Sequence, residues 1–471
     1  MKKSLFAVAA MSAIAGAAQA QSSVTVYGLM DMGYVGVNAR AVSASGVVIK
    51  NQTSQFGQSQ ENTSRLGFKG TEDLGGGLSA FFTVEMGLTP QNPNIGGGTD
   101  KDSFQNNTNN AGSTLDNRQS FVGLKKNGIG QAAFGRQYTP IFNAGAATDA
   151  SQYANVLGNV IYQGSGVAGV DGQSGVTAGS ANAAFTNRAS NALTFQSDKF
   201  SGFGVNGMYA LNNQNATQFA SNQQFTSPAA SAINTTNATA STNSTLAGGN
   251  SSAGGNTNWN GWGLSADFSY QKLYLTVAYQ SFKTQYSNAI VTAANGITNV
   301  GTSNVGGQNI GTTVQGLFNP QQLSDKQTYV GGTYDFGILK AYAQWVGRKI
   351  QQDNGYASTT VAYGAGAQLN RTAQQIGVRS FITPTVEAWG SIGNGKYTGP
   401  LSTSTSGGQV AGSLPASVNY VGWQLGSNYY LSKRTNLYAI YGQQQTSSGS
   451  GGIAGSGASA NQYAVGMRHT F

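Results

Sequence analysis

The stretch Asn461–Phe471, N-Q-Y-A-V-G-M-R-H-T-F, alternates strictly. Tyr463, Val465, Met467, His469 and Phe471 fall on one face, and Gln462, Ala464, Gly466, Arg468 and Thr470 on the other. A period of two marks a β-strand. A half-buried strand of a soluble sandwich would alternate in the same way. Phe471 narrows the choice, because a soluble domain rarely closes on a bulky apolar residue in register with a strand's apolar face. In a bilayer a strand must be hydrogen-bonded along its whole length, since lipid offers no partner to an open edge. The stretch is therefore expected to be the closing seam of a transmembrane β-barrel, paired with the first strand.

Residues 1–20 read as a signal peptide: Lys2 and Lys3 are a basic n-region, Leu5 to Ala18 is apolar but too short to span a bilayer, and Ala18-Gln19-Ala20 is a small-x-small cleavage site. The barrel then occupies 21–471. Without Lys2 and Lys3 the 25 Lys and Arg become 23, against 16 Asp and Glu, a formal charge of +7. There is no Cys, which excludes a disulfide framework and a thiolate metal site. No apolar run is long enough for a transmembrane helix. Charged residues are only 9% of the chain and Gly numbers 67, which alone would suggest a low-complexity chain. The 22 Tyr and 21 Phe argue against disorder. A barrel reconciles the two, because each strand shows lipid only its alternate residues.

Strands pair off by connection length. Val24 to Val37 alternates, with Val26, Met30 and Met32 on one face and Thr25, Tyr27 and Asp31 on the other. Short turns are read at Asp73–Gly77, Asn127-Gly128, Lys199–Gly202, Gln271-Lys272, Phe336-Gly337, Thr383-Pro384 and Ser432–Arg434. Long connections are read near 39–61, 89–116, 139–187, 213–260, 284–324, 350–371, 398–418 and 446–460. These fifteen connections imply sixteen strands. The fold class is all-β: a 16-stranded antiparallel transmembrane barrel with short periplasmic turns and long external loops.

Lipid-facing charge costs about 2–4 kcal/mol at mid-membrane, so strand charges are assigned to the lumen. Arg65 and Lys69 oppose Leu66 and Phe68, Arg118 opposes Phe121, and Arg188 opposes Leu193 and Phe195. Asp267, Lys340 and Arg379 follow the same rule. Arg136 breaks it by sharing parity with Phe134, which places it at the rim or beyond a bulge. A single inward arginine is by default a solvated wall residue. Three arginines with Lys69 beside them, facing a third loop whose only acids are Asp149 and Asp171, form a field that should attract anions.

Six stretches together carry a family resemblance: Ser22–Asp31, Ser64–Leu78 (S-R-L-G-F-K-G-T-E-D-L-G-G-G-L), Arg118–Leu124 (R-Q-S-F-V-G-L), Phe134–Pro140, Asn187–Phe195 and the terminal strand. They resemble the general trimeric porins of betaproteobacteria, in the Gram-negative porin superfamily. The resemblance implies a homotrimer in the cell outer membrane, surrounded by lipid and lipopolysaccharide. It implies an inward-folded third loop, and a constriction lined by Arg65, Arg118 and Arg188. It also implies that the second loop, 89–116, latches onto a neighbouring subunit, and that Phe471 serves as an assembly signal. Many relatives carry an acidic or P-E-F-G-type third loop, whereas this one is rich in Ala, Gly, Ser and Asn.

The expected function is passive diffusion of small hydrophilic solutes, with anions preferred, and with no cofactor, metal or nucleic-acid partner. A substrate-specific channel is the alternative; aromatic stripes in the lumen would favour it, and Tyr27, Tyr274 and Tyr342 have lumen parity. A barrel enzyme needs a nucleophile with a base in reach. The only His, His469, has lipid-facing parity. A β-solenoid adhesin would show a short fixed repeat, and none is found.

Overall fold

The structure, a computed structural model, describes residues 23–43, 48–90, 116–162, 188–215, 255–288, 304–305, 308–309, 321–352, 356–357, 362–363, 368–400, 415–447 and 455–471. One antiparallel sheet of 17 strands holds nearly all of them. In chain order these are β1 (Ser23–Ser43), β2 (Val48–Gln58), β3 (Arg65–Gly75), β4 (Leu78–Gly87), β5 (Asp116–Lys126) and β6 (Gly130–Tyr138). The helix α1 (Pro140–Ala147) follows. Then come β7 (Arg188–Ser197), β8 (Phe203–Asn215), β9 (Gly255–Tyr270), β10 (Leu273–Asn288), β11 (Gln321–Asp335) and β12 (Lys340–Gln352). The last five are β13 (Gln368–Thr383), β14 (Val386–Pro400), β15 (Pro415–Tyr430), β16 (Thr435–Thr446) and β17 (Gly455–Thr470).

Each strand pairs with its sequence neighbours, and the sheet closes on itself between β17 and β1. Leu29 faces Thr470 and Asn38 faces Asn461. Phe471 completes the seam: its N–H donates to Gly28 O at 3.1 Å, and Gly28 N–H donates to Phe471 O at 3.2 Å. The wall has sixteen positions because β2 and β3 share one. β1 is long enough to pair its far half with β2 (Met32↔Gln58) and its near half with β3 (Leu29↔Arg65). The expected loop at 39–61 is thus mostly a hairpin that prolongs β1 beyond the wall. All seven expected short turns lie where the strand ends meet.

Alternation sorts the side chains as a barrel in lipid requires. Val26, Val84, Val122, Phe134, Leu264, Val330, Ile376, Ile392 and Val465 are exposed on the outer face. Ring pairs mark the edges of that belt. Phe203–Phe268 at 4.4 Å and Tyr334–Phe336 at 4.7 Å lie toward the short turns; Trp262–Tyr279 at 5.3 Å and Trp423–Tyr441 at 5.2 Å lie toward the long loops. The buried clusters lie inside the barrel, where residues Ile141–Tyr162 pack against the wall.

Between β2 and β3 the chain leaves the wall. Ser59 takes a left-handed φ of 59°, and residues 59–64 project inward. Asp31 holds this excursion: its carboxylate accepts from Glu61 N at 2.8 Å, Asn62 N at 2.7 Å and Tyr438 OH at 2.6 Å. Asp31→Ala leaves three donors without an acceptor, at about 1–3 kcal/mol each. The temperature at which the folded band converts to the unfolded band in semi-native electrophoresis is expected to fall. An unchanged temperature would show that the carboxylate does not hold the excursion.

Candidate functional site

The excursion and β3–β7 bring three arginines around one glutamate. Tyr27, Gly67 and Glu85 lie in one cross-strand row. A Cβ on Gly67 would fall within the Tyr27 ring, so only glycine lets that ring lie across β3 and place its OH 3.2 Å from Glu85 Oε2. Arg118 Nε donates to Glu85 Oε1 at 2.8 Å, and Arg65 Nη1 stands 3.8 Å from the same oxygen. Arg65 also donates to Asn62 Oδ1, on the excursion. Arg118 Nη2 donates to Tyr138 OH at 2.7 Å. The Arg188 guanidinium lies 5.0 Å from the centre of the Tyr138 ring. The cluster therefore carries three positive charges and one negative.

The arginines are not equivalent. Arg118 and Arg188 are 5% and 2% exposed, whereas the Arg65 side chain is 19% exposed. Lys69 lies four residues beyond Arg65 toward the short turns, is exposed, and holds its Nζ 5.4 Å from the Tyr27 ring centre. Parity alone misplaces Phe121: it pairs with Thr83 and faces the lumen with it, while Val122 and Leu124 face out. Arg118 turns inward because the β4–β5 register shifts between Glu85 and Met86 and leaves it as the extra residue of a bulge. Arg136 sits at a second register shift, between Gly135 and Gln137, in line with the bulge expected beside it. It donates to Asn117 O at 2.7 Å and to Ser190 Oγ at 3.0 Å.

After β6 the chain turns into the barrel. Thr139 caps α1 by accepting from Phe142 N, and Pro140 supplies the first turn. Phe142 stacks on Tyr138 at 4.4 Å and 5°, which ties the helix to the arginine cluster. Tyr153 and Tyr162 continue the aromatic contact, stacked on each other at 4.3 Å. Both are buried within the loop.

The loop then lies along the far wall, gripped by inward side chains. Arg371 donates to Val160 O and Ile161 O and, through Nε, to Tyr420 OH at 2.7 Å. Gln375 Oε1 accepts from Val160 N at 3.1 Å, and Gln462 Oε1 accepts from Leu157 N at 3.0 Å. Gln424 donates to Val156 O, and Arg379 Nη1 to Ala150 O at 2.8 Å. Asn155 N–H reaches Gln60 O at 2.9 Å, on the excursion, so the loop crosses the lumen and returns to the split wall position. Inward glycines Gly393, Gly422 and Gly442 form the bed on which it rests.

Asp149, expected as one of the two acids of the constriction loop, lies in that loop and is 1% exposed. Its carboxylate accepts from Ser151 Oγ, Tyr153 N, Asn159 Nδ2 and Gln375 Nε2. Burial pushes its carboxyl above the usual carboxylate range, and the hydrogen bonds from Ser151, Tyr153 and Asn159 offset only part of that. It organises the loop from within and does not line the pore. Asp171 and most of the expected latch, 91–115, lie outside the described residues, as do residues 1–22. Among the described residues no group of acids, His or Cys could hold a metal ion.

The model of the Gram-negative porin family matches residues 7–450. An outer membrane porin protein of Bordetella pertussis is 34% identical over 225 residues, 46% of this chain and 50% of that protein. Outer membrane porin protein 32 of Delftia acidovorans is 39% identical over 140 residues, 30% of this chain and 33% of its own. The chain thus aligns with half or less of the length of these relatives. A solved structure, an anion-selective porin from Comamonas acidovorans, superposes with a TM-score of 0.55 at 19% identity over 96% of this chain and all of the other, and shares the fold. With a closed sixteen-position barrel and a family match across nearly its whole length, the chain belongs to the Gram-negative porin family of the outer membrane.

Proposed function

We propose that this protein is a water-filled outer-membrane channel for passive diffusion of small hydrophilic solutes, with a preference for anions. The observation that carries the reading is the net positive charge of the cluster of Arg65, Arg118, Arg188 and Glu85, set opposite a loop whose described acid, Asp149, is sealed away. Lys69 adds a solvated positive charge nearer the periplasm. The proposal includes a homotrimer, a cleaved signal peptide at 1–20, Phe471 as an assembly signal, and a surround of lipid and lipopolysaccharide. No nucleic-acid partner is included. The substrate-specific reading wants aromatic rings open to solute. Of the tyrosines with lumen parity, Tyr27 is hydrogen-bonded to Glu85, Tyr274 lies under Lys199 and Tyr342 is buried, which favours the general channel.

The test is the reversal potential of the reconstituted protein across a salt gradient. The potential is expected to take the sign of anion preference in dilute KCl. It should shrink as salt approaches 1 M, where the Debye length is about 3 Å. A cation-selective potential in dilute salt would overturn the anion reading.

A further inference from the structure

Four lysines on the outer face of the barrel obey one rule. Each lies four residues beyond the last apolar or aromatic outward side chain of its own strand, on the long-loop side. On β10 the order is Tyr279, Ser281, Lys283; on β11 it is Val330, Thr328, Lys326. On β12 it is Trp345, Gly347, Lys349; on β14 it is Ile392, Asn394, Lys396. Four residues are about 13 Å along a strand. The lysines therefore stand at one depth outside the apolar belt, where headgroups of the external leaflet begin. On β13, between two of them, Thr372 pairs with Lys396 at the corresponding position.

Among the described residues no acid neutralises these charges. Lys326 and Lys349 are direct cross-strand partners, an arrangement that repels. The nearby Asp325 is turned inward, fully buried, and paired with Arg348 at 2.8 Å. Among the described residues, none of the four lysines forms an ion pair, and no acid faces outward beside them. Against the same wall lies an outer-face cleft of about 620 Å³, lined by Trp345, Gln374, Asn394, Lys396, Asn419 and Gln445. An indole, several amides and one ammonium suit a sugar ring that bears a phosphate.

We propose that this lysine arc and its cleft bind the phosphorylated sugar headgroup of an external-leaflet glycolipid. The inference rests on the outer-membrane placement above and assigns the surround its site. The phosphates bridge Lys326 and Lys349 and meet Lys396, and the amides take the sugar hydroxyls.

The test compares the wild-type protein with the Lys326→Gln, Lys349→Gln, Lys396→Gln triple variant in detergent, using fluorescent diphosphoryl lipid A. Binding is expected to weaken at least about tenfold in the variant. Lipid A stripped of phosphate should bind the wild type as weakly as diphosphoryl lipid A binds the variant. A Lys125→Gln, Lys126→Gln control, altered at a short turn, should bind like wild type. Unchanged binding in the triple variant, or equal binding of dephosphorylated lipid A, would overturn the proposal. So would equal competition by phosphatidylglycerol, which would make the arc a general anionic-lipid surface. The conductance of both variants separates the two readings: a triple variant that conducts normally but loses lipid A supports both, and one that binds lipid A normally sinks only this one.

Discussion

Replacing Arg65, Arg118 and Arg188 together by glutamine is expected to move the reversal potential of the channel from the anion side to the cation side. The cluster changes from three positive charges and one negative to a lone Glu85. Arginine stays protonated at any working pH, so the native field does not titrate away. In a low-dielectric cleft a field of this kind raises local counter-ion concentration by roughly ten- to a thousandfold. Loss of three charges should therefore change the anion-to-cation permeability ratio by about tenfold or more at low salt. Adding Glu85→Gln to the triple variant should return the ratio close to neutral, which separates electrostatics from any change of pore size. Arg65→Gln alone should retain the largest share of the effect, because its side chain is the most open to water of the three. A triple variant with the wild-type ratio would make these arginines wall residues and put the selectivity elsewhere.

The fold is legible in this sequence because lipid imposes one rule on every strand. Outward positions must be apolar and turns must return the chain, so alternation and connection length are enough to count the wall. The rule stops working where the sheet is irregular. The segment 39–61 is mostly polar and does not alternate, with Val48 and Ile49 adjacent and both exposed, so it reads as a loop, yet its stretch Val48–Gln58 pairs with β1. Parity also fails for Arg118, where a bulge adds one residue opposite Glu85 and Met86. Nothing in R-Q-S-F-V-G-L marks that insertion. The arginine's inward placement was expected, but the reason given for it, opposition to Phe121, was not the right one.

The candidate site was half legible. Charge and parity pointed to Arg65, Arg118 and Arg188, and the structure brings them together. Glu85 also had lumen parity, but one inward acid among many polar residues carries no sign that it will sit between arginines from β3 and β5. The grip on the third loop was not legible at all. Gln375, Gln424 and Gln462 look like ordinary water-facing wall residues, and Gly393, Gly422 and Gly442 look like the general glycine excess. Their role depends on which inward positions the loop crosses, and that path is a tertiary fact.

Gly442→Val, in turn, is expected to expel the third loop from its bed. A Cβ on Gly442 would lie inside the van der Waals shell of the Leu157 carbonyl oxygen, a backbone atom that cannot rotate away. The valine can still point into the lumen without disturbing the β15–β16 and β16–β17 ladders, so the barrel itself should assemble. Arg371→Met tests the same grip from another side. It removes the donor to Val160 O, Ile161 O and Tyr420 OH while keeping a side chain of similar length. Each buried group left without a partner costs about 1–3 kcal/mol, so the loop end around Val160 should detach or take up water. Both variants should show higher single-channel conductance and faster uptake of bulky neutral sugars than wild type, with more current noise. The heat-modifiable folded band should persist in both. The anion-to-cation ratio should fall less than in the arginine triple variant, because Arg65, Arg118 and Arg188 remain on the opposite wall. If Gly442→Val keeps wild-type conductance and sugar exclusion while folding normally, the loop does not set the size of the pore.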